Sequence, residues 1–299
     1  MLNDAANLCL LSGWLPDQYQ LLDFGCSRKL ERFGPVILDR GCPAAEQVPM
    51  RDPDAWAAAD IALDSQGTAV ADSQLLGSLS RGGWRIRFAK LSLLLKLTPF
   101  GHVGLFPEQA ANWLWLRQQV LDRVRVAGVV NALNLFAYTG AATLMMAGAG
   151  AEVVHVDASA PAVAWARTNA ELSQLQRAPI RWIVEDARKF VARELRRGRR
   201  YDLIVLDPPS YGHGPNGQRW EILRDLRPLL KQCGSLLRED CKSQLLLTAH
   251  SDEPNEHSVA EMLSRQREGE IAAGRLQLAD LAARPLDAGY YVRATYASY

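Results

Sequence analysis

Short apolar runs rich in valine and isoleucine alternate with longer segments of helical period from residue 129 onward. This alternation predicts a mostly parallel β-sheet with helices on both faces. The predicted strands cover residues 129–136, 152–157, 180–186, 201–207 and 244–250. The predicted intervening helices cover residues 141–149, 159–172, 187–197 and 220–238, and the second of these has Ser159 as its N-cap and Pro161 in its first turn.

The alternation of strands and helices ends after residue 267, because the strand-like runs at 275–281 and 290–296 are joined by the turn-rich sequence RPLDAG and not by a helix. This pattern predicts an antiparallel hairpin that closes the sheet. Five parallel strands closed by a hairpin differ from the all-parallel dinucleotide fold, whose last strands alternate with helices.

In the first hundred residues, strand candidates are separated by Gly, Pro and Asp. This pattern predicts a small, mainly β accessory domain at 1–99, followed by a second domain at 100–299. The strand candidates are residues 19–24, 29–39 and 84–97, with a helical turn at 52–60 and a polar loop at 66–83. A helix from Pro107 to about Val126 joins the halves, and it carries an apolar stripe at helical spacing. The stripe consists of Trp113, Leu116, Val120 and Val124.

Composition excludes several classes of protein. An apolar content of 48 % and a charged content of 22 % exclude a largely disordered chain. The chain has 34 Lys plus Arg and 33 Asp plus Glu, so it has no overall basic charge. The net charge therefore neither supports nor excludes binding to nucleic acid. The five cysteines form no CxxC pair, which favours a cytoplasmic protein without a disulfide framework, and no membrane span is expected.

Acidic residues end three consecutive predicted strands. Asp157 ends the second strand, about 20 residues after the turn at Gly140, where a carboxylate can accept hydrogen bonds from ribose hydroxyls. Asp186 ends the third strand, where it can meet an adenine amino group or can simply cap the helix that opens at Ala187. Carboxyl ends of parallel strands share one edge of a sheet, so we expect one crevice and not three unrelated caps.

The fourth strand ends in the sequence Asp-Pro-Pro-Ser-Tyr, at Asp207 to Tyr211. Two prolines fix the backbone and remove two N–H donors, which turns carbonyl groups toward the crevice beside a carboxylate. The ring of Tyr211 can stack on a flat substrate. This segment is therefore the candidate site for the second substrate.

Four segments, NLFAYTG, VHVDAS, EDARKF and LDPPSY, resemble in order and spacing the S-adenosylmethionine-dependent methyltransferases grouped with the bacterial 23S ribosomal RNA large-subunit methyltransferases. The resemblance covers roughly residues 100–299, and GLFPEQAANW at 104–113 is similar to that family's motif before the first strand. It implies the class I methyltransferase sheet, a Rossmann-like α/β fold with a small N-terminal mainly β domain.

The resemblance implies S-adenosyl-L-methionine as cofactor and assigns residues to it. Segment 134–140 would wrap the methionine portion, with Gln109 near it, while Asp157 would hold the ribose and Asp186 with Ala187 would meet the adenine. The residues expected to bind the cofactor are Phe106, Gln109, Asn134, Phe136, Ala137, Tyr138, Thr139, Gly140, Asp157, Ala158, Ser159, Glu185, Asp186, Ala187 and Asp207. Those expected to face the methyl acceptor are Asp207, Pro208, Pro209 and Tyr211, and no metal is expected.

One departure from the family pattern concerns the nucleophile. Cytosine C-5 enzymes of this group use a cysteine at the end of the fifth strand, where this chain has His250. Cys233 and Cys241 both precede that strand. Direct transfer to a nitrogen or oxygen is therefore favoured over cytosine C-5 chemistry.

The leading hypothesis is a methyltransferase acting on RNA, with 23S ribosomal RNA as the favoured substrate. One alternative is a protein or small-molecule methyltransferase that uses the same crevice. Another is a noncatalytic RNA-binding or assembly protein that retains the fold, although the intact acids argue against it. A nicotinamide oxidoreductase is disfavoured by the missing GxGxxG sequence and the terminal hairpin.

Overall fold

The structure is a computed structural model that describes residues 13–64, 68–71, 79, 82–98, 101–214, 217–251 and 253–298. The chain divides into two units, Met1–Leu114 with Gln277–Ala288 and Trp115–Leu276 with Gly289–Tyr299. Cys9 and most of the polar loop predicted at 66–83 lie outside the described residues. The domain division between residues 99 and 100 stays a prediction.

The first unit contains a five-stranded sheet and a separate two-stranded hairpin. The strands of the sheet, in spatial order, are β1 (Tyr19–Gly25), β2 (Arg28–Phe33), β3 (Val36–Gly41), β4 (Ile61–Leu63) and β5 (Ala69–Ala71). Only the β3–β4 pair is parallel. The hairpin pairs β6 (Trp84–Phe88) with β7 (Leu91–Leu95). Short 3₁₀ helices cover Pro43–Ala45, Pro53–Ala58 and Pro107–Gln109, and the second confirms the helical turn predicted at 52–60.

Two of the strand predictions in this unit are wrong in one respect. Residues 29–39 and 84–97 each form parts of two strands, not one. The chain turns at Gly34, with φ 59°, and at Ala89, with φ 50°. These left-handed conformations reverse the chain within apolar runs that alternate on both sides of the turn.

Buried charges in the first unit are paired. Glu31 is fully buried and accepts hydrogen bonds from the Tyr19 hydroxyl at 2.8 Å and from Arg40 at 2.5 Å, and the Arg40 charge lowers the pKa of Glu31 to about 2 against the effect of burial. Asp23 accepts a hydrogen bond from the indole N–H of Trp56 at 2.9 Å and pairs with Arg284. Segment 277–288 is therefore tied to the first strand of this unit.

The second unit is built on a seven-stranded sheet. Its strands are β8 (Asn131–Leu135), β9 (Glu152–Asp157), β10 (Ile180–Val184), β11 (Leu203–Leu206), β14 (Ser243–Ala249), β15 (Gly269–Ala279) and β16 (Pro285–Tyr296), and a small hairpin pairs β12 (Tyr211–His213) with β13 (Arg219–Glu221). The spatial order is β10-β9-β8-β11-β14-β16-β15. The first five are parallel, and β16 pairs with β14 in the antiparallel direction. The predicted parallel sheet with a closing hairpin is confirmed. The bounds predicted for the hairpin are wrong, because its strands begin at Gly269 and Pro285 instead of 275 and 290, and most of the predicted RPLDAG connection belongs to β16.

Among the described residues from 110 to 264, six α-helices precede or connect these strands. They are α1 (Ala110–Ala127), α2 (Ala141–Ala147), α3 (Ala160–Leu172), α4 (Ala187–Arg196), α5 (Ile222–Leu236) and α6 (Glu256–Ser264). Ser159 caps α3 through its hydroxyl, which accepts a hydrogen bond from the Ala162 N–H. The helix predicted at 220–238 begins at Ile222 instead, because Trp220 belongs to β13, where it pairs with Gly212.

Both faces of the central sheet are buried, which explains the continuous apolar runs. Along β11, Ile204 and Leu206 pack into one apolar cluster, whereas Leu203 and Val205 pack into the other. Strands covered on both faces lack the alternation of a half-exposed strand. Among the described residues, no helix is long and apolar enough to span a membrane.

Candidate active site

The carboxyl ends of the parallel strands meet at one edge of the sheet. The Ala137 N–H donates to the carbonyl of Val156 at 3.1 Å, just before Asp157. The Glu185 N–H donates to the carbonyl of Asp157 at 3.0 Å. The Asp207 N–H donates to the carbonyl of Leu135 at 3.4 Å. The residues that follow β8, β9, β10 and β11 are therefore neighbours, as predicted from the order of the strands.

The turn after β8 has an unusual backbone. Phe136, Tyr138 and Gly140 all have positive φ values, of 55°, 48° and 89°. Two aromatic residues in this region cost about 1–3 kcal/mol each, a strain that proteins retain mainly at functional sites. Gly140 is required on a second ground, because a Cβ placed there would lie 2.9 Å from Cβ of Ala166 on α3.

A chain of buried polar side chains lies beneath this turn. Asn134 Nδ2 donates to the Thr143 hydroxyl at 2.9 Å, and that hydroxyl lies 2.9 Å from Nδ1 of His155. Burial, together with a smaller effect of the Arg167 charge, lowers the pKa of His155 to about 3, so the ring is neutral. Beside this chain, Asn169 Nδ2 donates to the Thr139 carbonyl at 2.9 Å. These contacts fix the base of the turn before any ligand binds.

Asp157 is held open at the end of β9. One carboxylate oxygen accepts from the Tyr138 N–H at 2.8 Å and the other from the Ser159 N–H at 2.8 Å. Burial raises the pKa of this carboxyl, although the two backbone donors oppose the shift. Each oxygen retains a lone pair for a further donor. The geometry suits two hydroxyl groups on one sugar, as the sequence predicts.

Asp186 is the N-cap of α4, which is one of the two roles that the sequence predicts for it. It caps α4 by accepting hydrogen bonds from the backbone N–H groups of Arg188 and Lys189. It also forms an ion pair with the Arg188 guanidinium at 2.8 Å, and the neighbouring Glu185 pairs with Arg193 at 2.6 Å. The adenine contacts of Glu185, Asp186 and Ala187 stay a prediction.

Asp207 is oriented by the neighbouring strand. The hydroxyl of Thr248, on β14, donates to Asp207 Oδ1 at 2.6 Å. The register pairs Leu206 with Leu247, so Thr248 and Asp207 follow side by side at the edge of the sheet. Since the hydroxyl occupies one carboxylate oxygen, it fixes the rotation of the side chain.

The segment after Asp207 is also held in place. The indole N–H of Trp220 donates to the Pro209 carbonyl at 2.6 Å, and the Trp220 ring packs 4.8 Å from that of Phe136. Pro208 is buried. Tyr211 is 72 % exposed at the start of β12, so its ring is open to a flat partner.

Two predicted cofactor residues, Phe106 and Gln109, belong to the first unit. Phe106 precedes the 3₁₀ helix Pro107–Gln109, and its ring lies 5.4 Å from that of His102. Gln109 is buried and accepts a hydrogen bond from Asn112 at 3.0 Å, while its Nε2 has no partner among the described residues. A buried amide nitrogen without a partner is costly, which suits a donor reserved for a ligand.

The described cysteines of the second unit do not offer a nucleophile at the end of β14. Cys233 is fully buried in α5, and burial raises the pKa of its thiol far above the ordinary value. Cys241 precedes β14 and lies beside Asp202, whose carboxylate accepts from the N–H that begins β8. This places Cys241 at the amino edge of the sheet, opposite Asp207. His250 follows β14 and is exposed.

The residues of the second unit fit a nucleoside cofactor. Asp157 offers two oxygens with spare lone pairs, and the backbone of residues 136–140 turns sharply beside it. The fold and site thus define a class I methyltransferase arrangement, with a cofactor crevice beside the Asp-Pro-Pro-Ser-Tyr segment.

Comparison with known proteins identifies the family. The model of the S-adenosylmethionine-dependent methyltransferase family matches residues 48–256 of this chain. A crystal structure of the S-adenosylmethionine-dependent methyltransferase from Agrobacterium tumefaciens is 35 % identical, with a TM-score of 0.85, and the alignment covers 93 % of this chain and 90 % of that one. The chain belongs to the S-adenosylmethionine-dependent methyltransferases, and both the predicted resemblance and the predicted cofactor are confirmed.

Curated relatives match a shorter segment. The ribosomal RNA large subunit methyltransferase K/L of Methylococcus capsulatus is 34 % identical over 53 % of this chain and 20 % of its own length. The ribosomal RNA large subunit methyltransferase I of Salmonella arizonae is 29 % identical over 51 % of this chain and 36 % of its own length. The chain thus spans about a fifth to a third of these relatives.

Sequence reasoning missed three residues that organise the site. Thr248 could have been found by aligning the ends of β11 and β14, which places it beside Asp207. Trp220 was assigned to a helix, because a lone aromatic residue before an apolar helical pattern carries no strand signal. Arg188 pairs with two carboxylates, and nothing in the sequence indicates either partner.

Proposed function

We propose that this chain is an enzyme that transfers a methyl group from S-adenosylmethionine to RNA, with ribosomal RNA of the large subunit as the substrate. The observation that carries the proposal is the Asp207 carboxylate, oriented by Thr248 beside the carbonyl-rich Pro208–Pro209 pair and the open ring of Tyr211. Support for RNA comes from the names of the curated relatives, which are ribosomal RNA methyltransferases.

When bound, the cofactor would supply a methyl group carried on a positively charged sulfur. The bond between this carbon and the sulfur would break as the bond to the acceptor forms in line with it, and S-adenosylhomocysteine would be the leaving group. The protein must bring the nucleophile to about 3–3.5 Å from that methyl group and exclude water. For an exocyclic amino group, Asp207 and the Pro208 carbonyl would accept hydrogen bonds from its two N–H groups, which directs the nitrogen lone pair at the methyl group. The methylated nitrogen would then lose one of these protons to the Asp207 carboxylate. Tyr211 stacks on the extruded base.

The cysteines support direct transfer over covalent activation of a cytosine ring. A thiolate is the reactive form, and burial holds the Cys233 thiol protonated. Cys241 lies at the opposite edge of the sheet from Asp207. Direct transfer to a nitrogen or oxygen therefore requires only the groups at the carboxyl edge. RNA that carries 5-fluorocytosine should then form no covalent adduct, and a stable adduct on any cysteine would overturn direct transfer.

The test of the substrate class uses methyl-labelled S-adenosylmethionine. Total RNA, protein and small molecules from a strain that lacks the gene are each incubated with the purified chain, and the label is counted in each fraction. We expect label in ribosomal RNA alone. Label in protein or in small molecules would establish the corresponding alternative, and cofactor binding without transfer to any fraction would indicate a noncatalytic protein.

A further inference from the structure

Arg188 joins two carboxylates on different elements. Its guanidinium donates to Asp186 at 2.8 Å, at the end of β10, and through its other terminal nitrogen to Asp225 Oδ2 at 2.9 Å, on α5. The same Asp225 oxygen accepts the Glu221 N–H at 3.0 Å, the last backbone N–H of β13. Arg188 therefore connects the edge of the sheet to the base of the β12–β13 hairpin.

The same guanidinium also packs over a ring of that hairpin. Its central carbon lies 5.8 Å from the centre of the Trp220 ring, and the Trp220 indole N–H holds the Pro209 carbonyl. The loop of the hairpin also lies close to Asp186, because a Cβ placed on Gly214 would lie 3.2 Å from Asp186 Oδ2. Arg188, Asp186 and the hairpin thus form one packed group.

We propose that Arg188 is a positioning residue for methyl transfer, which holds the β12–β13 hairpin and the Pro209 carbonyl in register with the edge of the sheet where the cofactor binds. The proposal rests on the proposed function for the transfer step, whereas the placement of the hairpin is independent of it. A flat, forked guanidinium can bridge two carboxylates and cover a ring at once. A lysine at this position provides the charge without the fork.

Arg193 is a matched control on the same helix. Its side chain is 27 % exposed, as is that of Arg188, and it also pairs with a carboxylate at the end of β10, Glu185 at 2.6 Å. It packs over the Phe190 ring of its own helix, at 5.1 Å from the ring centre. Replacing it with lysine removes a similar contact between a forked guanidinium and a carboxylate, keeps the charge, and leaves the hairpin contacts described above in place.

The experiment compares Arg188→Lys with Arg193→Lys in the full chain. Hydrogen–deuterium exchange is measured at the amides of Tyr211–His213 and Arg219–Glu221, S-adenosylhomocysteine affinity by calorimetry, and methyl transfer to RNA from the deletion strain with labelled cofactor. Arg188→Lys should raise the exchange rate of the hairpin amides about tenfold and lower kcat about tenfold, because one hydrogen bond between charged groups is lost. The cofactor affinity should stay within about threefold of wild type.

Arg193→Lys should change none of the three quantities appreciably. Equal hairpin exchange in the two variants would overturn the proposal, as would a fall in cofactor affinity that accounts for the whole loss of rate. If the wild type transfers no methyl group to RNA, the proposed function fails, and hairpin exchange still decides whether Arg188 holds the hairpin.

Discussion

At the scale of single residues, Asp157 carries the strongest prediction about the cofactor. Its buried carboxylate uses one lone pair on each oxygen for the Tyr138 and Ser159 N–H groups, which leaves capacity for two ribose hydroxyls. Asp157→Ala should weaken S-adenosylmethionine binding by at least about tenfold, because a hydrogen bond to a charged group contributes about 1.5–3 kcal/mol. Isothermal titration calorimetry measures the change.

Glu152 provides the control for that variant. It begins the same strand, is exposed and carries the same charge. Glu152→Ala should leave the affinity within about twofold of wild type, since the loss of one exposed charge contributes little. Equal affinities for Asp157→Ala and wild type would remove Asp157 from the cofactor site.

His155 makes the stability of the protein depend on pH. Its pKa of about 3 in the folded protein lies below the value of 6.5 for an ordinary histidine, because the burial of its ring disfavours the charged form. Between these values the unfolded chain binds more protons, so the free energy of unfolding falls as the pH falls below 6.5. The loss approaches about 1.4 kcal/mol per pH unit within this window.

Urea unfolding at pH 7 and pH 5.5 tests this prediction. His155→Gln removes the titration, so its stability should change less between the two pH values than that of wild type, whatever its absolute stability. The comparison of slopes cancels the groups that both proteins share. Parallel slopes would show that His155 is not the responsible group.

At the scale of elements, the turn between β8 and α2 depends on Gly140. This residue needs a positive φ and also leaves no room for a side chain against Ala166. Gly128, after α1, has a similar φ of +76° with nothing within 4 Å of a built Cβ. Gly140→Ala should therefore lose at least about 1 kcal/mol more unfolding free energy than Gly128→Ala, the cost of overpacking.

Chemical denaturation of both variants measures this difference, and calorimetry measures its effect on the site. Gly140→Ala should also weaken S-adenosylmethionine binding. The added methyl group would push the turn away from α3, and residues 136–140 of this turn are expected to contact the cofactor. Gly128→Ala should bind the cofactor as wild type does. An equal loss of stability in the two variants would show that α3 accommodates the added methyl group without cost.

The parallel strands of the second unit could be predicted from the sequence because each is a short apolar run that ends at an acid or a turn. β9 matches its predicted bounds at 152–157, and β8, β10, β11 and β14 differ from theirs by one or two residues at the ends. β15 and β16 begin six and five residues before their predicted starts at 275 and 290. The β12–β13 hairpin could not be predicted, because its strands have three residues each and their pairing is supported by side chains distant in sequence. Arg188 illustrates the same limit, since its partner Asp225 is 37 residues away along the chain.

At the scale of the whole molecule, the first unit draws on both ends of the chain. Segment 277–288 joins residues 1–114 in one unit, and Arg284 pairs there with Asp23. A division by sequence position alone cannot include such a segment, because the pairing spans more than 250 residues. The parallel direction of the first five strands of the second unit follows instead from the alternation of strands and helices, which the sequence shows.

We propose that Asp207 positions a methyl acceptor on RNA while the rest of the crevice binds the cofactor. The direct measurement is the single-turnover rate of methyl transfer from labelled S-adenosylmethionine to RNA from the deletion strain, together with calorimetric cofactor affinity. Asp207→Ala should lower the rate by about 100-fold or more and change the affinity far less, because the contact forms mainly in the transition state. His250→Ala should have a milder effect. A rate for Asp207→Ala within about threefold of wild type, or an equal loss of rate and affinity, would contradict the account.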